Sequence, residues 1–379
     1  MKKSRLILLA TTALIAALTA GCGSNDATNN ATDSKDKATT QEEKVVQDQL
    51  GRDVKIPTKV DRIVTGGILP FYSTWYVATD STKEIVGMHP NSYSAAKNSI
   101  LAKISPDVLK AETSFVKNGE VNVEELMKID PQIYFEGTAD EKTIKKVETT
   151  GIPVMGIKAI DAVKNTEPMG TFNSWLKVIS DITGTTERTD RFLDEGKQVQ
   201  NELNEKLSKV KESEKPRAMV LFNHSKDSIV VAGNNFFGNQ WLNATGAKDV
   251  AQKDIVGTKE VNMEQIYKWN PDVIYITDFT ATQPEDLLKN KIAGQDWSQV
   301  KAVQEGKVYK TPVGIYRWFP PNGDAPLMLK WMAQKNYPDL FTYDMKTEIK
   351  NYYKDFYSYD VSDDEAEKIL HPSSDSALQ

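Results

Sequence analysis

One segment of this chain occurs twice, and that repeat constrains the fold more than any other feature. Asn122-Val123-Glu124-Glu125-Leu126-Met127-Lys128-Ile129-Asp130-Pro131-Gln132-Ile133-Tyr134-Phe135 returns as Asn262-Met263-Glu264-Gln265-Ile266-Tyr267-Lys268-Trp269-Asn270-Pro271-Asp272-Val273-Ile274-Tyr275. Each copy reads the same way physically. The Asn side chain accepts from the free amides of a helix start. The apolar residues after it point inward, and the Pro, lacking an amide hydrogen, stops the helix ahead of a buried strand. Two copies of one helix–strand unit imply two lobes of one kind.

The flanking pattern agrees. β-rich runs at 62–67, 84–88, 132–136 and 153–157, and again at 217–223, 228–232, 272–277 and 307–311, alternate with helical or irregular stretches. That is the pattern of α/β lobes on a largely parallel sheet. Between the two sets, residues 171–182 and 186–212 read as helices, with Gly184 as the break. In the second, Phe192, Gly196, Val199, Leu203, Leu207 and Val210 recur at helical spacing. Twenty-seven helical residues would span about 40 Å, enough for a stiff spine joining both lobes; an amphipathic surface helix has the same spacing.

The N-terminus carries a separate signal. Lys2, Lys3 and Arg5 precede an uncharged apolar run at 6–20, too short to span a bilayer comfortably and of the form of an export signal. It closes on Leu18-Thr19-Ala20-Gly21-Cys22, which resembles the bacterial lipobox. Cys22 is the single cysteine. Its neighbours Gly23, Ser24, Asn25 and Asp26 are too polar to bury it, and no fold surrounds it to activate a catalytic thiol. Lipidation is the role left, and two or more acyl chains hold a protein stably on a membrane. Residues 23 to about 44 lack aromatic side chains and read as a flexible tether. Order is expected from Val45, with two short strands meeting at a Gly turn around Gly51. The chain so divides into a signal peptide (1–21), a lipid anchor and tether (22–44), an N-terminal α/β lobe (45–170), interlobe helices (171–214), a C-terminal α/β lobe (215–371) and a polar tail (372–379).

The formal charge of −6 falls to −9 once the three cations of the signal are removed, which argues against nucleic acid as a partner. The sequence holds no Gly-x-Ser-x-Gly elbow, P-loop, paired-Cys motif or His-Glu-x-x-His. His224 with Asp278 is the one pair that suggests catalysis, so the chain reads as a non-enzyme without a cofactor. With His371 in the polar tail, His89 and His224 are too few for a bare transition-metal site.

In open α/β sheets ligands sit beyond the carboxyl ends of the strands. The loops there contain Gly66, Gly67, Tyr72, Met88, His89, Asn223, His224, Asp278, Phe279, Tyr316, Arg317 and Trp318. Tyr72, His89, Asn223, His224, Tyr316, Arg317 and Trp318 are the ligand-binding candidates. Arginine offers a planar fork for carboxylate or catecholate oxygens, and aromatic rings stack on conjugated ligands. Trp318 and Phe319 fit a core equally well. His89 or His224 either gives an axial nitrogen to a metal or hydrogen bonds within the wall.

Further motifs recur in a fixed order. They are Gly51-Arg52-Asp53-Val54-Lys55-Ile56-Pro57 with Arg62-Ile63-Val64, the paired Asn-x-Glu helices, and Asp296-Trp297 with Ala302-Val303 and Gly306-Lys307-Val308-Tyr309. Pro326-Leu327-Met328-Leu329-Lys330-Trp331-Met332-Ala333, Tyr337-Pro338-Asp339-Leu340-Phe341 and Phe356-Tyr357-Ser358-Tyr359 follow. Over roughly residues 45–370 the chain resembles the iron-complex (ferric siderophore, haem and cobalamin) substrate-binding lipoproteins of ABC importers. The resemblance implies two Rossmann-like lobes bridged by a long α-helix, with the ligand in the cleft between them. It also implies a monomer, lipid-anchored on the extracytoplasmic face of the cell membrane, that delivers its ligand to an ABC permease. The permease would dock on one surface glutamate per lobe, Glu124 and Glu264, although a first-turn carboxylate also suits the helix dipole and Glu125 is close enough to substitute. The implied cargo is an iron chelate: a ferric siderophore first, haem or a corrinoid as alternatives. Members that hold strongly anionic siderophores often place several arginines in the cleft. This chain has seven in all, with Arg317 alone on a strand-end loop and Lys158 to assist, which disfavours a ferric tris-catecholate and leaves a neutral hydroxamate, haem and a corrinoid open.

Overall fold

The two copies of the repeat fold alike, down to their caps. The Asn122 side chain accepts from the amides of Glu124 and Glu125 (3.0 and 3.2 Å) at the start of helix Val123–Ile129. Asn262 accepts from the amide of Gln265 (3.0 Å) at the start of helix Met263–Trp269. Both helices end on a left-handed residue, Asp130 (φ 53°) and Asn270 (φ 42°), residue types that adopt this conformation more readily than most. A third shared device falls outside the repeated segment. Arg62 reaches the carbonyls of Ile129 and Asp130, and Arg217 reaches those of Trp269 and Asn270. Each guanidinium satisfies carbonyls that a helix end leaves free and opposes the helix dipole.

This is a computed structural model, and it describes residues 42–160 and 167–377; the signal segment, Cys22 and most of the tether lie outside them. In the N-terminal lobe four parallel strands run in the order Ile85–Met88, Ile63–Thr65, Ile133–Gly137, Val154–Ile157. The expected opening hairpin is present as Glu43–Gln47 paired with Asp53–Pro57, with Gly51 at φ 78° in the turn. In the C-terminal lobe Arg217–His224, Val273–Ile276 and Val308–Lys310 are parallel. Ile229–Ala232, however, is antiparallel to Arg217–His224, and Thr258–Val261 is antiparallel to Ile229–Ala232 in turn. This sheet is therefore mixed. Thr258–Val261 is an exposed edge strand, so it lacks the apolar alternation that reveals strands in a sequence.

The spine consists of helices Gly170–Thr183 and Thr186–Leu207, separated by Gly184 at φ 76°. The second is shorter than its apolar spacing suggests. It stops at Leu207, and the amides of Lys209 and Val210 bond back to the carbonyls of Lys206 and Leu207, the tighter i→i+3 pattern common at helix ends. Its 22 residues span about 33 Å. It packs on helix Phe71–Thr79 of the N-terminal lobe and on helix Ala325–Asn336 of the C-terminal lobe. Arg188 fastens the junction, donating to the carbonyls of Val77 (2.7 Å) and Phe356 (3.3 Å) and to Asp80 (2.8 Å). One buried apolar cluster runs from Trp75 and Phe135 through Tyr316 and Trp318 to Tyr357. Close-packed interiors deform little, so a core continuous across the lobes restrains their relative motion.

Candidate ligand-binding site

Tyr72 stands on the helix that follows strand Ile63–Thr65, and Tyr316 on the loop after strand Val308–Lys310. Their rings meet edge to face with centroids 5.9 Å apart. Both residues are buried, and neither hydroxyl has a hydrogen-bond partner; Thr65 Oγ1, Ser92 Oγ and Asp278 Oδ1 are buried without partners as well. Buried polar atoms are normally paired. Five unpaired oxygens at or just beyond the carboxyl ends of strands in both lobes therefore mark the place where ligands of such sheets sit. Ser99 lies beside the Tyr72 hydroxyl and Arg317 beside that of Tyr316, each short of hydrogen-bond geometry. Burial pushes both phenols up against these smaller opposing influences, leaving them as neutral donors.

Arg317 is 2% exposed. Its Nε donates to the carbonyl of Asp278 (3.0 Å) and its Nη2 to that of Ser376 (2.7 Å), while the guanidinium lies 5.5 Å from the Phe279 ring centre and 5.7 Å from that of Tyr316. The buried Asp278 accepts from the Thr311 hydroxyl (2.8 Å), and its other oxygen is 3.9 Å from Lys310 Nζ. Burial pushes the Asp278 carboxyl up to about 7 and the Lys310 ammonium down to about 8. Lys310 donates to the carbonyls of Thr277, Thr280 and Thr282 (2.9, 2.5 and 3.0 Å). Two cationic side chains facing one carboxylate at a strand end give the site a positive bias toward anions.

The loop carrying Tyr316 and Arg317 is held by Asp324. This carboxylate accepts from the Ile315 amide (3.0 Å), the Trp318 indole (3.0 Å) and the hydroxyls of Tyr353 and Tyr357 (2.9 Å each). Asn322 donates to the Arg317 carbonyl (2.7 Å). Gly314 makes the arrangement possible, since any side chain there would collide with the Asp324 carboxylate and the Tyr353 hydroxyl. Trp318 is 0% exposed and its indole is bonded to Asp324, the setting of a core residue.

The other candidates fall into different settings. His89 is half-buried, and its Nδ1 accepts from the Asn91 amide (3.1 Å), capping helix Pro90–Lys97; burial lowers its basicity. His224 is buried with both ring nitrogens engaged, Nδ1 with Thr282 (2.9 Å) and Nε2 with Gln295 (2.7 Å). An axial bond to a metal would have to break one of these. His224 and Asp278 hydrogen bond to different partners and form no dyad. Asn223 is exposed beside it on the strand. Gly66 and Gly67 close on the buried Glu136, whose carboxylate accepts from the Gly67 amide (2.9 Å), the Gly137 amide (2.8 Å) and the Tyr134 hydroxyl (2.7 Å). Phe222 and Phe236, absent from the sequence candidates, join Phe279 in a half-exposed apolar wall with centroid distances of 5.2–5.3 Å. Their only sequence signal is position, Phe222 near the end of strand Arg217–His224 and Phe236 shortly after strand Ile229–Ala232. Among the described residues no cluster of three or more His, Cys, Asp or Glu is arranged to hold a bare metal ion, and no helix is long and apolar enough to cross a membrane.

Glu124 and Glu264 occupy matching first-turn positions, both exposed. Among the described residues neither is in an ion pair, whereas Glu125 bonds Lys128 (3.2 Å) and lies 3.6 Å from Lys117.

Two α/β lobes restrained by a helical spine, with polar side chains converging at their strand ends, define a solute-binding protein of the kind that serves ABC importers. Residues 70–313 match the family described as "Periplasmic binding protein", and the chain belongs to that extracytoplasmic family. It is 32% identical to a periplasmic solute binding protein from Veillonella parvula, whose structure superposes with a TM-score of 0.77 over 87% of this chain and 97% of that one. It is 24% identical over 343 residues to the molybdate-binding protein MolA of Haemophilus influenzae (86% of this chain, 93% of the relative), and the MolA structure bound to molybdate gives a TM-score of 0.70 over 84% and 99% of the two chains. The Fe(3+)-citrate-binding protein YfmC of Bacillus subtilis is 23% identical over 322 residues, 81% of this chain and 89% of the relative.

Proposed function

We propose that this protein captures a compact, oxygen-rich metal anion in the cleft and passes it to its permease, with Tyr72, Tyr316 and Arg317 as the groups that grip it. The observation that carries this reading is the pair of buried phenols from opposite lobes, both without partners, with the Arg317 guanidinium beside the Tyr316 hydroxyl and its charge felt at Tyr72. Such donors suit oxygens of an oxyanion or a carboxylate, since hydrogen bonds to charged acceptors are the strong ones. The likeness to a molybdate binder supports the first form of ligand. A ferric chelate, the cargo expected from the sequence, is the second reading. The half-exposed wall of Phe222, Phe236 and Phe279 favours it, because an organic chelator brings apolar surface as well as carboxylates, and the likeness to a ferric-citrate binder points the same way. Haem and corrinoids fit less well: a large ring requires the Tyr72–Tyr316 contact to open, and His224 has no ring nitrogen to spare. Permease docking through Glu124 and Glu264, monomeric state and lipid anchoring at Cys22 complete the proposal.

The test is calorimetric titration of the protein with molybdate, ferric citrate, a ferric hydroxamate, haem and cobalamin. Saturable binding of molybdate or ferric citrate is expected, weakened by Arg317→Ala by about 1.5–3 kcal/mol and only partly restored in Arg317→Lys, which keeps the charge but loses the fork. Tight binding of haem or cobalamin alone would overturn the reading.

A further inference from the structure

The last described residues do not trail into solvent as their polar sequence suggests. After helix Asp363–Leu370 the chain turns at the buried Pro372 and returns toward the site, and Ala377 is 5% exposed. Ser376 gives its carbonyl to Arg317 Nη2 at 2.7 Å, and its side chain lies beside the Asp278 carboxylate. A cavity of about 400 Å³ opens here, with Ser99 and Lys103 of the N-terminal lobe on one side and Val313, Ser373 and Ser376 on another. Ser99, on the wall of this cavity, is also the neighbour of the Tyr72 hydroxyl, so one residue borders both the tail and the phenols.

We propose that segment 373–377 is a built-in plug of the ligand site: the Ser376 carbonyl occupies, on Arg317, the place that a ligand oxygen takes, and binding displaces it. This rests on the reading that Arg317 belongs to the site. A guanidinium has donors and no acceptor, so a backbone carbonyl and an anionic oxygen compete for the same hydrogens, and the charged acceptor makes the stronger bond. The segment is also lightly held. Its remaining hydrogen bonds among the described residues are local, from the Ser376 amide and hydroxyl to Ser373 and from the Ala377 amide to Ser374. Few outward bonds mean a low free energy of local opening. While the plug is seated, only the fraction of molecules with it released is competent, and apparent affinity falls by that fraction. The same exchange gives a route of release, because the returning tail competes with ligand once the permease loosens the cleft.

The experiment compares the full chain, a chain ending at Pro372, and the full-length variant Ala377→Asp, which places a charge where the tail packs. Molybdate and ferric citrate are the probes, with hydrogen exchange followed at amides 373–377. Loss of the plug should tighten binding of the responding probe roughly tenfold or more, the equivalent of one hydrogen bond to a charged group. Ala377→Asp should shift affinity in the same direction, and probe should speed exchange of the tail in the full chain. Equal affinities in all three chains with unaltered tail exchange would overturn the plug while leaving the site intact, provided Arg317→Ala still weakens the probe. Binding indifferent to Arg317→Ala overturns the site reading and the plug with it. A ligand-free arm decides independently: Arg317→Ala should speed tail exchange in the unliganded protein, and an unchanged rate refutes the proposal whichever probe binds.

Discussion

The rings of Tyr72 and Tyr316 meet edge to face across the two lobes at 5.9 Å, and neither hydroxyl is spent on the protein. The rings therefore serve packing while the hydroxyls serve something else. Edge-to-face aromatic pairs contribute about 0.5–1.5 kcal/mol beyond area burial, whereas a buried hydroxyl without a partner is destabilising by roughly 1–3 kcal/mol. A fold selected for stability alone would place phenylalanine at both positions.

Tyr72→Phe and Tyr316→Phe should therefore leave the protein as stable as wild type or more so, while each weakens binding of an anionic ligand by about 1.5–3 kcal/mol, the range for a hydrogen bond to a charged group. Urea denaturation and calorimetric titration of the same samples separate the two effects. A variant that loses stability and keeps its affinity would show that the hydroxyl is structural.

Glu124→Ala and Glu264→Ala should each impair uptake in cells without changing ligand affinity, and the double variant should be worse. Both side chains are exposed and lie outside any ion pair among the described residues. Losing a first-turn carboxylate costs only about 0.3–1 kcal/mol through the helix dipole, so unfolding does not confound the measurement. Wild-type transport by the double variant would return both residues to a capping role.

Cys22→Ala should abolish incorporation of labelled palmitate and release the protein from membranes in detergent-free fractionation, because stable attachment requires acyl chains. The fold should persist, since the core clusters of the described residues draw on no side chain before Val46. Undiminished labelling would rule out Cys22 as the acylation site.

Much of the fold was legible because its signals are local. The Asn caps, the Pro stops and the buried strands of the repeat each depend on residues within a few positions, and so does the Gly184 break. What escaped depends on partners distant in sequence or on exposed positions without an apolar pattern. Thr258–Val261 pairs as an edge strand with little burial to mark it. Nothing local marks Arg62 and Arg217 as helix-end partners, because the carbonyls they reach lie more than fifty residues away in the chain. His224 remained a metal candidate because Thr282 and Gln295, which take up its nitrogens, are remote in the chain. Trp318 divided between cleft and core until the Asp324 bond decided for the core. Asp324 itself lies in the loop Pro320-Pro321-Asn322-Gly323-Asp324, a stretch that reads as solvated turn, and nothing local announces that its carboxylate is the hub for four donors.

That hub gives the last prediction. Burial pushes the Asp324 carboxyl up to about 6, against the opposing hydrogen bonds from Tyr353, Ile315, Tyr357 and Trp318. The folded state therefore keeps a proton that the unfolded state has released, and the stabilisation from this group is present at low pH and lost as pH rises from about 4 through about 6. Asp278, pushed up to about 7, acts with the same sign, so part of the slope survives without Asp324. Asp324→Asn cannot release a proton. Its stability penalty relative to wild type should grow on going from pH 7 to pH 4.5, by on the order of 1–3 kcal/mol, read from urea denaturation across that range. The variant should also bind ligand more weakly at pH 7, because the loop presenting Tyr316 and Arg317 loses the carboxylate that orients it, and a less preorganised site pays more ordering entropy on binding. Parallel stability profiles for the two proteins across this range would show that Asp324 is ionised in the fold throughout, and that burial does not make it hold a proton.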